Sequence, residues 1–163
     1  MSDKIKIYLA SPLGFSEVGR SFMYEKIIPI IEEWGYSIID PWKLTPNNLI
    51  QSVFDLPYGE ERKASFKKLN KIMAEKNTRA IKDSSGLVAI LDGVDVDSGT
   101  ASEIGYASAL KKPILGYRGD FRLASDNEGS IVNLQVEHFI YSSGGKIITE
   151  IKDLGKELKV IFG

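Results

Sequence analysis

The sequence predicts one α/β domain, a doubly wound parallel sheet of five strands with helices on both faces, and three observations carry that expectation. Short β-branched or apolar runs, such as Ile5-Lys6-Ile7-Tyr8-Leu9-Ala10 and Gly86-Leu87-Val88-Ala89-Ile90-Leu91, alternate with stretches of helical apolar spacing along the whole chain. Turn residues mark the junctions, as in Ser11-Pro12-Leu13-Gly14, Trp34-Gly35 and Asp40-Pro41. The chain has 163 residues and is 43% apolar, the size of a single domain (1–163) that buries roughly two thirds of its unfolded surface. Regular strand and helix alternation favours parallel pairing through right-handed crossovers.

Taken in order, residues 5–10 form the first strand, stopped by Ser11-Pro12. Ser16 starts a helix with Glu17 in its first turn, and Phe22, Ile27, Ile30 and Ile31 recur at helical spacing until Trp34-Gly35. Residues 36–39 read as a second strand. Residues 42–58 read as an irregular lid or pocket wall, because Pro46, Asn47, Asn48 and Pro57 interrupt any period. A long polar helix spans 60–82, a third strand 87–91, and a helix 101–110. The fourth strand covers 113–117, and a second irregular loop covers 118–130. A helix over 131–141, a short strand over 146–149 and an amphipathic helix carrying Ile151, Leu154, Leu158 and Ile161 complete the chain.

Composition narrows the chemistry. With 21 basic and 22 acidic residues the net charge is -1, and Lys63, Lys67, Lys68 and Lys71 lie beside acidic neighbours, so no nucleic-acid stripe or membrane surface stands out. Cysteine is absent and there is one histidine, which excludes a thiolate nucleophile and gives no zinc cluster. Oxygen groups must do the work. The apolar run at the N-terminus is too short for a signal peptide and no segment approaches the length of a membrane span, so a cytoplasmic location is expected.

In open parallel sheets ligands bind beyond the carboxyl ends of the strands, which directs attention to the loops at 11–15, 40–58, 92–103 and 118–133. The stretch 92–107, Asp-Gly-Val-Asp-Val-Asp-Ser-Gly-Thr-Ala-Ser-Glu-Ile-Gly-Tyr-Ala, concentrates carboxyls there. Asp92 and Asp95 read first as turn residues, and Asp97 or Ser98 as a helix cap. Glu103 is expected in the first helical turn, where the macrodipole favours its anion by about 0.3–1 kcal/mol. Two readings of Glu103 stand side by side: a carboxylate aimed into a pocket, or a capping-box partner of Thr100. The chain has neither GxGxxG nor GxxxxGK[ST], which removes the main support for a dinucleotide or P-loop site. Asp92, Asp95 and Asp97 lack the glutamate a hard-cation loop requires, so no metal and no cofactor are expected.

These segments, with "IYLASPLGF" (7–15), "DPW" (40–42), "NTRAIKDSSGLVAILDG" (77–93), "DSGTASEIGYA" (97–107), "YRGDFR" (117–122) and "NLQV" (133–136) in that order, resemble the nucleoside 2-deoxyribosyltransferase family. The resemblance implies a flavodoxin-like or Rossmann-like fold and base exchange on 2′-deoxynucleosides through a covalent glutamyl sugar. By the same resemblance Glu103 matches the nucleophile, Tyr8 a tyrosine that steadies it, and Asp97 an aspartate that holds the deoxyribose. Ser11, Phe15, Asp40 and Trp42 match the pocket lining, together with Asn77 and Gly99. Asn133 matches an asparagine lent to a neighbouring subunit, which implies a homo-oligomer whose partners are otherwise small molecules, a deoxynucleoside and a free nucleobase. One departure is visible: where the family commonly has an aspartate near the end of the long helix, this chain has Asn77, and an amide cannot pass a proton to a departing base. Either a water or another acid such as Asp40 then serves, or the base specificity differs, or the activity is weaker. A hydrolase acting on deoxynucleoside 5′-monophosphates, with Ser11, Ser16, Arg20 and Ser98 near a phosphate, and a non-catalytic nucleotide-binding protein are the alternatives.

Overall fold

Five short strands pair edge to edge, all parallel, in the order β2-β1-β3-β4-β5. They are β1 (Lys6–Ala10), β2 (Ser37–Ile39), β3 (Gly86–Ile90), β4 (Ile114–Tyr117) and β5 (Lys146–Ile148). The computed structural model describes residues 4–163. The chain order reverses between β1 and β3, so the crevice above their carboxyl ends is where such a sheet binds ligands.

Strand alternation divides the core in two. Tyr8, Ala10, Leu87, Ala89 and Leu91 face one side and pack on Ile81, Ile104, Val136 and Ile140. These contacts bury α4 (Glu60–Asp83), α5 (Ser98–Ala109) and α6 (Leu134–Ser142) against that face. Ile7, Leu9, Val88 and Ile90 face the other side, against Met23, Ile27, Ile31, Leu154 and Leu158. That layer is built from α1 (Glu17–Phe22), α2 (Ile28–Glu33) and α7 (Leu154–Phe162). All five residues of β3 are buried, as expected of a strand covered on both faces. Among the described residues no helix is long and apolar enough to cross a membrane.

Ser16 caps α1 as expected, its hydroxyl accepting the Gly19 N–H at 3.0 Å. α1 runs into α2 through a π-helical turn, Met23–Ile27, in which the Ile28 N–H reaches back five residues to the Met23 carbonyl. Pro29, just inside α2, has no N–H to offer the preceding turn, and the wider turn absorbs that break.

Three boundaries differ from the sequence expectation. The stretch 42–58 is not irregular: Pro41–Lys43 makes a 3-10 turn and Asn47–Phe54 forms α3. Asn47 and Asn48 favour turns and hid the period, but Pro46 is compatible with a helix start, Val53 is buried, and Phe54 packs edge-on against Phe66 of α4 at 5.1 Å. α5 begins at Ser98 instead of 101, so Glu103 lies in its second turn and no acidic residue occupies the first. α6 begins at Leu134 instead of 131, with Asn133 as its cap.

α6 ends in a Schellman motif. Gly144 adopts φ +81° and donates to the Tyr141 carbonyl, and Gly145 donates to the Ile140 carbonyl, both at 3.1 Å. The turn brings Gly145 against β4 so closely that a Cβ there would fall 1.8 Å from the Ile114 carbonyl oxygen. Backbone cannot move aside as a side chain can. Gly145→Ala is therefore expected to cost about 1–3 kcal/mol or more, read as a lowered urea midpoint at unchanged slope.

Candidate active site

Several carboxyls gather at the carboxyl ends of β1 and β3, and backbone capping shapes the walls around them. Asp92, directly after β3, accepts the N–H groups of Gly119 at 2.6 Å and Asp120 at 3.0 Å, tying the β3–α5 loop to the β4–α6 loop. Asp95 folds onto the Val96 N–H at 2.7 Å. Both therefore act as turn residues. Arg118, 2% exposed, reinforces the tie by donating to the carbonyls of Leu91, Gly93 and Arg122. The sequence offered no signal for that role beyond its place in "YRGDFR".

Asp97 is the cap of α5. Its Oδ2 accepts from the Thr100 N–H at 3.0 Å and stands 3.4 Å from the Thr100 hydroxyl, which leaves Oδ1 without a protein partner among the described residues. The cap is supplied by Asp97, so Glu103 takes no part in a capping box. Its carboxyl instead accepts a 2.5 Å hydrogen bond from the Tyr8 hydroxyl, the one side-chain or main-chain hydrogen bond it makes among the described residues.

Tyr8 is fully buried at the centre of the sheet, on the face that α5 covers. Burial first, then the negative charge of Glu103, push its hydroxyl well above the usual phenol range, so it remains a proton donor at every physiological pH. Burial also raises Glu103, from an ordinary 4.5 to about 7, with the nearby Asp97 charge adding to the rise and the Tyr8 hydrogen bond opposing it. The helix macrodipole does not govern Glu103, because the carboxyl sits one turn beyond the helix start and desolvation dominates.

Glu103 borders a cavity of about 240 Å³. Ser11, Phe15, Trp42, Asn77, Asp97 and Gly99 line it with Glu103, and Met73 of α4 joins them. Met73 lies one helical turn before Asn77, so the helical period of α4 was the available signal for it. The aromatic wall is braced from behind. Trp42 donates its indole N–H to the Ser11 carbonyl at 3.2 Å, and Phe15, 75% exposed, meets its ring edge-on at 4.7 Å. Gly14 makes room for the indole, since a Cβ there would fall 2.1 Å from it.

Asp40 is placed differently from the expectation. Its carboxylate accepts from the Tyr24 hydroxyl at 2.8 Å and from the Trp42 N–H at 3.0 Å, and it does not line the cavity. Its position is that of a brace for Trp42. The acceptor carboxylate and burial push Tyr24 up to about 12, burial contributing most. Phe54 and Tyr58 lie outside the cavity too, stacked on the Arg62 guanidinium at 5.7 and 4.2 Å. Asn133 does not reach this chain's own cavity. Its amide oxygen caps α6 through Gln135 and Val136, and its Nδ2 lies 3.3 Å from Asp126. Of the residues set near a phosphate by the hydrolase alternative, Ser16 is spent as a helix cap and Ser11 accepts from the Leu13 N–H at 3.1 Å. No group of three or more metal-ligating side chains is present among the described residues.

A larger and shallower depression of about 440 Å³ between β2 and α4 has no buried carboxyl, and its Lys6, Arg79 and Asp83 are exposed.

No curated protein matches the sequence. Among solved structures, a conserved protein from Enterococcus faecalis is 25% identical with a TM-score of 0.72, covering 97% of this chain and 99% of that one. A 2-deoxyribosyltransferase from Bacillus psychrosaccharolyticus is 21% identical with a TM-score of 0.63, over 92% and 90% of the two chains. A CMP N-glycosidase from Clostridium botulinum is 20% identical with a TM-score of 0.56, over 95% and 98%. The family model for nucleoside 2-deoxyribosyltransferase matches residues 7–135, a span that holds β1, β3, α5 and every residue bordering the cavity, and the chain belongs to that family.

Proposed function

We propose that the protein exchanges the base of 2′-deoxynucleosides through a covalent deoxyribosyl ester on Glu103. The observation that carries this reading is the carboxyl itself: withdrawn from water, held by a buried phenol, and bordering a cavity with an aromatic wall. Tyr8 occupies Oε1, so Oε2 is the oxygen free to attack. As the bond from C1′ to the base nitrogen breaks, the sugar becomes oxocarbenium-like and the carboxylate beside it is stabilising. The C1′–Oε2 bond then forms and the base leaves with a proton. A second base attacks C1′ from the vacated side, expels the carboxylate and releases a proton, so configuration is retained over two inversions.

The other groups divide the remaining work. Asp97, with Oδ1 unengaged, accepts a sugar hydroxyl, and Trp42 with Phe15 forms the surface on which a base stacks. Asp97 and Glu103 are the titratable side chains lining the cavity, and Asp40 is engaged elsewhere. The proton for the departing base therefore comes from water oriented by the Asn77 amide. Asn133, remote from its own cavity, completes the site of a second subunit. The exposed Val94, Phe121 and Leu123 on the loops after β3 and β4, at 78%, 96% and 83%, supply apolar surface for that association.

Incubation with deoxyinosine and free adenine distinguishes the readings. Deoxyadenosine formation supports transfer, free deoxyribose supports the N-glycosidase alternative, and neither product leaves a binding protein. In a folded Glu103→Ala variant turnover is expected to fall by about a thousandfold or more. Retained transfer in that variant removes Glu103 as the nucleophile.

The rate is expected to rise with pH through about 7, because the attacking form is the anion. The Tyr8 hydrogen bond lowers the Glu103 pKa, so Tyr8→Phe shifts this rise to higher pH. A profile that stays in place in Tyr8→Phe separates the phenol from the nucleophile.

The same shift fixes a stability difference. Folded Glu103 binds its proton more tightly than the unfolded chain does, so its stabilising effect is complete below about pH 4.5 and is lost as pH rises through about 7. Glu103→Gln has no such loss. Its stability relative to wild type should grow between those values, reaching about 3 kcal/mol at most above pH 8, measured by urea unfolding at fixed ionic strength. Parallel pH curves for the two proteins contradict the desolvated carboxyl.

A further inference from the structure

The indole of Trp42 separates the catalytic cavity from a second recess, an open cleft of about 490 Å³. Arg20 of α1, Lys43, Thr45 and Asn47 line it with Tyr24 and Trp42, and no acidic residue is among its lining. Lys43 extends over the Tyr24 ring at 4.4 Å, with its ammonium 4.0 Å from an Asp40 oxygen, and is 69% exposed. Arg20 uses one nitrogen to donate to the Gly14 carbonyl at 3.1 Å, leaving the rest of its guanidinium without a partner among the described residues.

The floor is the amino end of α3. Pro46 stands at the cap position and has no side chain to satisfy the first turn. The N–H groups of Asn47 and Asn48 donate to nothing among the described residues, and the first internal bonds begin with Leu49 and Ile50, both to the Pro46 carbonyl. Thr45 supplies an independent sign of a ligand. It is 6% exposed, it lines the cleft, and its hydroxyl has no hydrogen-bond partner among the described residues. The turn that holds these donors is pinned from below by Lys76, whose ammonium donates to the Leu44 carbonyl at 2.9 Å.

We infer that this cleft binds a phosphate group, through the Asn47 and Asn48 N–H groups, the Thr45 hydroxyl and the Arg20 and Lys43 cations. Two free amides, a hydroxyl, the Arg20 guanidinium and the exposed Lys43 ammonium match a phosphate in donor type and number, and with Asp40 beside Lys43 they leave one net positive charge at the cleft. Asp40 lies outside the lining; it stands 4.0 Å from the Lys43 ammonium and leaves the Arg20 charge uncompensated. The phosphate arrives either as the free anion or as the phosphate of a nucleotide, and the inference is independent of the reaction assigned to Glu103.

Inorganic phosphate titrated into the intact protein by calorimetry in low-salt buffer, with chloride at matched ionic strength as the control, tests it. Saturable binding is expected, weakened roughly tenfold or more in Lys43→Gln and in Thr45→Val, each a substitution that removes one donor with little change of shape. Arg20→Gln is the third variant, and circular dichroism checks the fold of all three. Absence of saturable binding overturns the inference, as does wild-type affinity in all three variants. The source follows from a second titration with a deoxynucleoside 5′-monophosphate. Displacement of this nucleotide by both inorganic phosphate and a deoxynucleoside assigns the phosphate to a ligand that spans Trp42. Independent binding of phosphate and deoxynucleoside assigns it to a free anion, and either outcome upholds the site. Loss of base transfer with phosphate binding intact would remove the proposed reaction and leave the cleft standing.

Discussion

The hydrogen bond from Tyr8 to Glu103 is the interaction on which the site depends, and the sheet dictates that it can form. β1 lies between β2 and β3 in a parallel sheet, so a side chain at its middle has no route to water. Alternation turns Tyr8 toward the face covered by α5, while Ile7 and Leu9 turn toward α1 and α2. A phenol in that position must find an acceptor or lose a hydrogen bond, a cost of about 1–3 kcal/mol. Glu103 is that acceptor. In return the phenol lowers the pKa of a carboxyl that burial raises, and the balance leaves Glu103 near neutrality. A carboxylate in open water would be freely ionised and well solvated; one in a wholly apolar pocket would stay protonated. The pairing holds it between those limits, where it is both available and poorly hydrated.

The rest of the rim is assembled from side chains that satisfy backbone first and ligands second. Asp92 fixes two N–H groups of the neighbouring loop, Asp97 and Asn133 cap α5 and α6, and Asp40 caps the turn that carries Trp42. Capping uses one oxygen of a two-oxygen group. Asp97 keeps the other for the cavity, whereas Asp40 gives its second oxygen to Tyr24 and becomes a brace. A carboxyl at a strand end is thus not defined by its loop position. What remains unbonded after the cap decides its part.

This explains which features were legible in the sequence. The parallel sheet was, because β-branched and apolar runs alternate with helical spacing and each strand is too short and too apolar for a solvent-facing hairpin. α3 was not: Asn47-Asn48 favours turns, and the burial of Val53 together with the Phe54–Phe66 contact exists only once α4 is in place. At the site, the residues quoted from the resemblance included Tyr8, Asp97 and Glu103, which the fold brings together at one end of the sheet. Asp40 was grouped with them as part of the "DPW" segment of the resemblance, and a sequence cannot say that Trp42 turns into the cavity while Asp40, two residues before it, turns to Tyr24 and the Trp42 N–H. Arg118 carried no signal beyond its place in "YRGDFR", and Met73 only the helical period that sets it one turn before Asn77. A methionine on a long polar helix and an arginine in a loop acquire roles only through contacts made across the fold.

Asn77 sets the remaining constraint on the chemistry. On the proposed reading the nucleophile must be ionised, which favours higher pH, while the departing base needs a proton, which favours lower pH. An acid on the α4 wall would reconcile the two by holding a proton through the range where Glu103 is an anion. An amide cannot, so the proton must enter from solvent while the cavity still excludes water from the glutamyl ester. Asn77 can reconcile these demands by ordering one water at the base edge, away from C1′, with its carbonyl accepting and its amide donating. The cavity wall then does by position what the missing acid would do by titration, and the aromatic brace of Trp42 on Asp40 and Tyr24 keeps that position fixed.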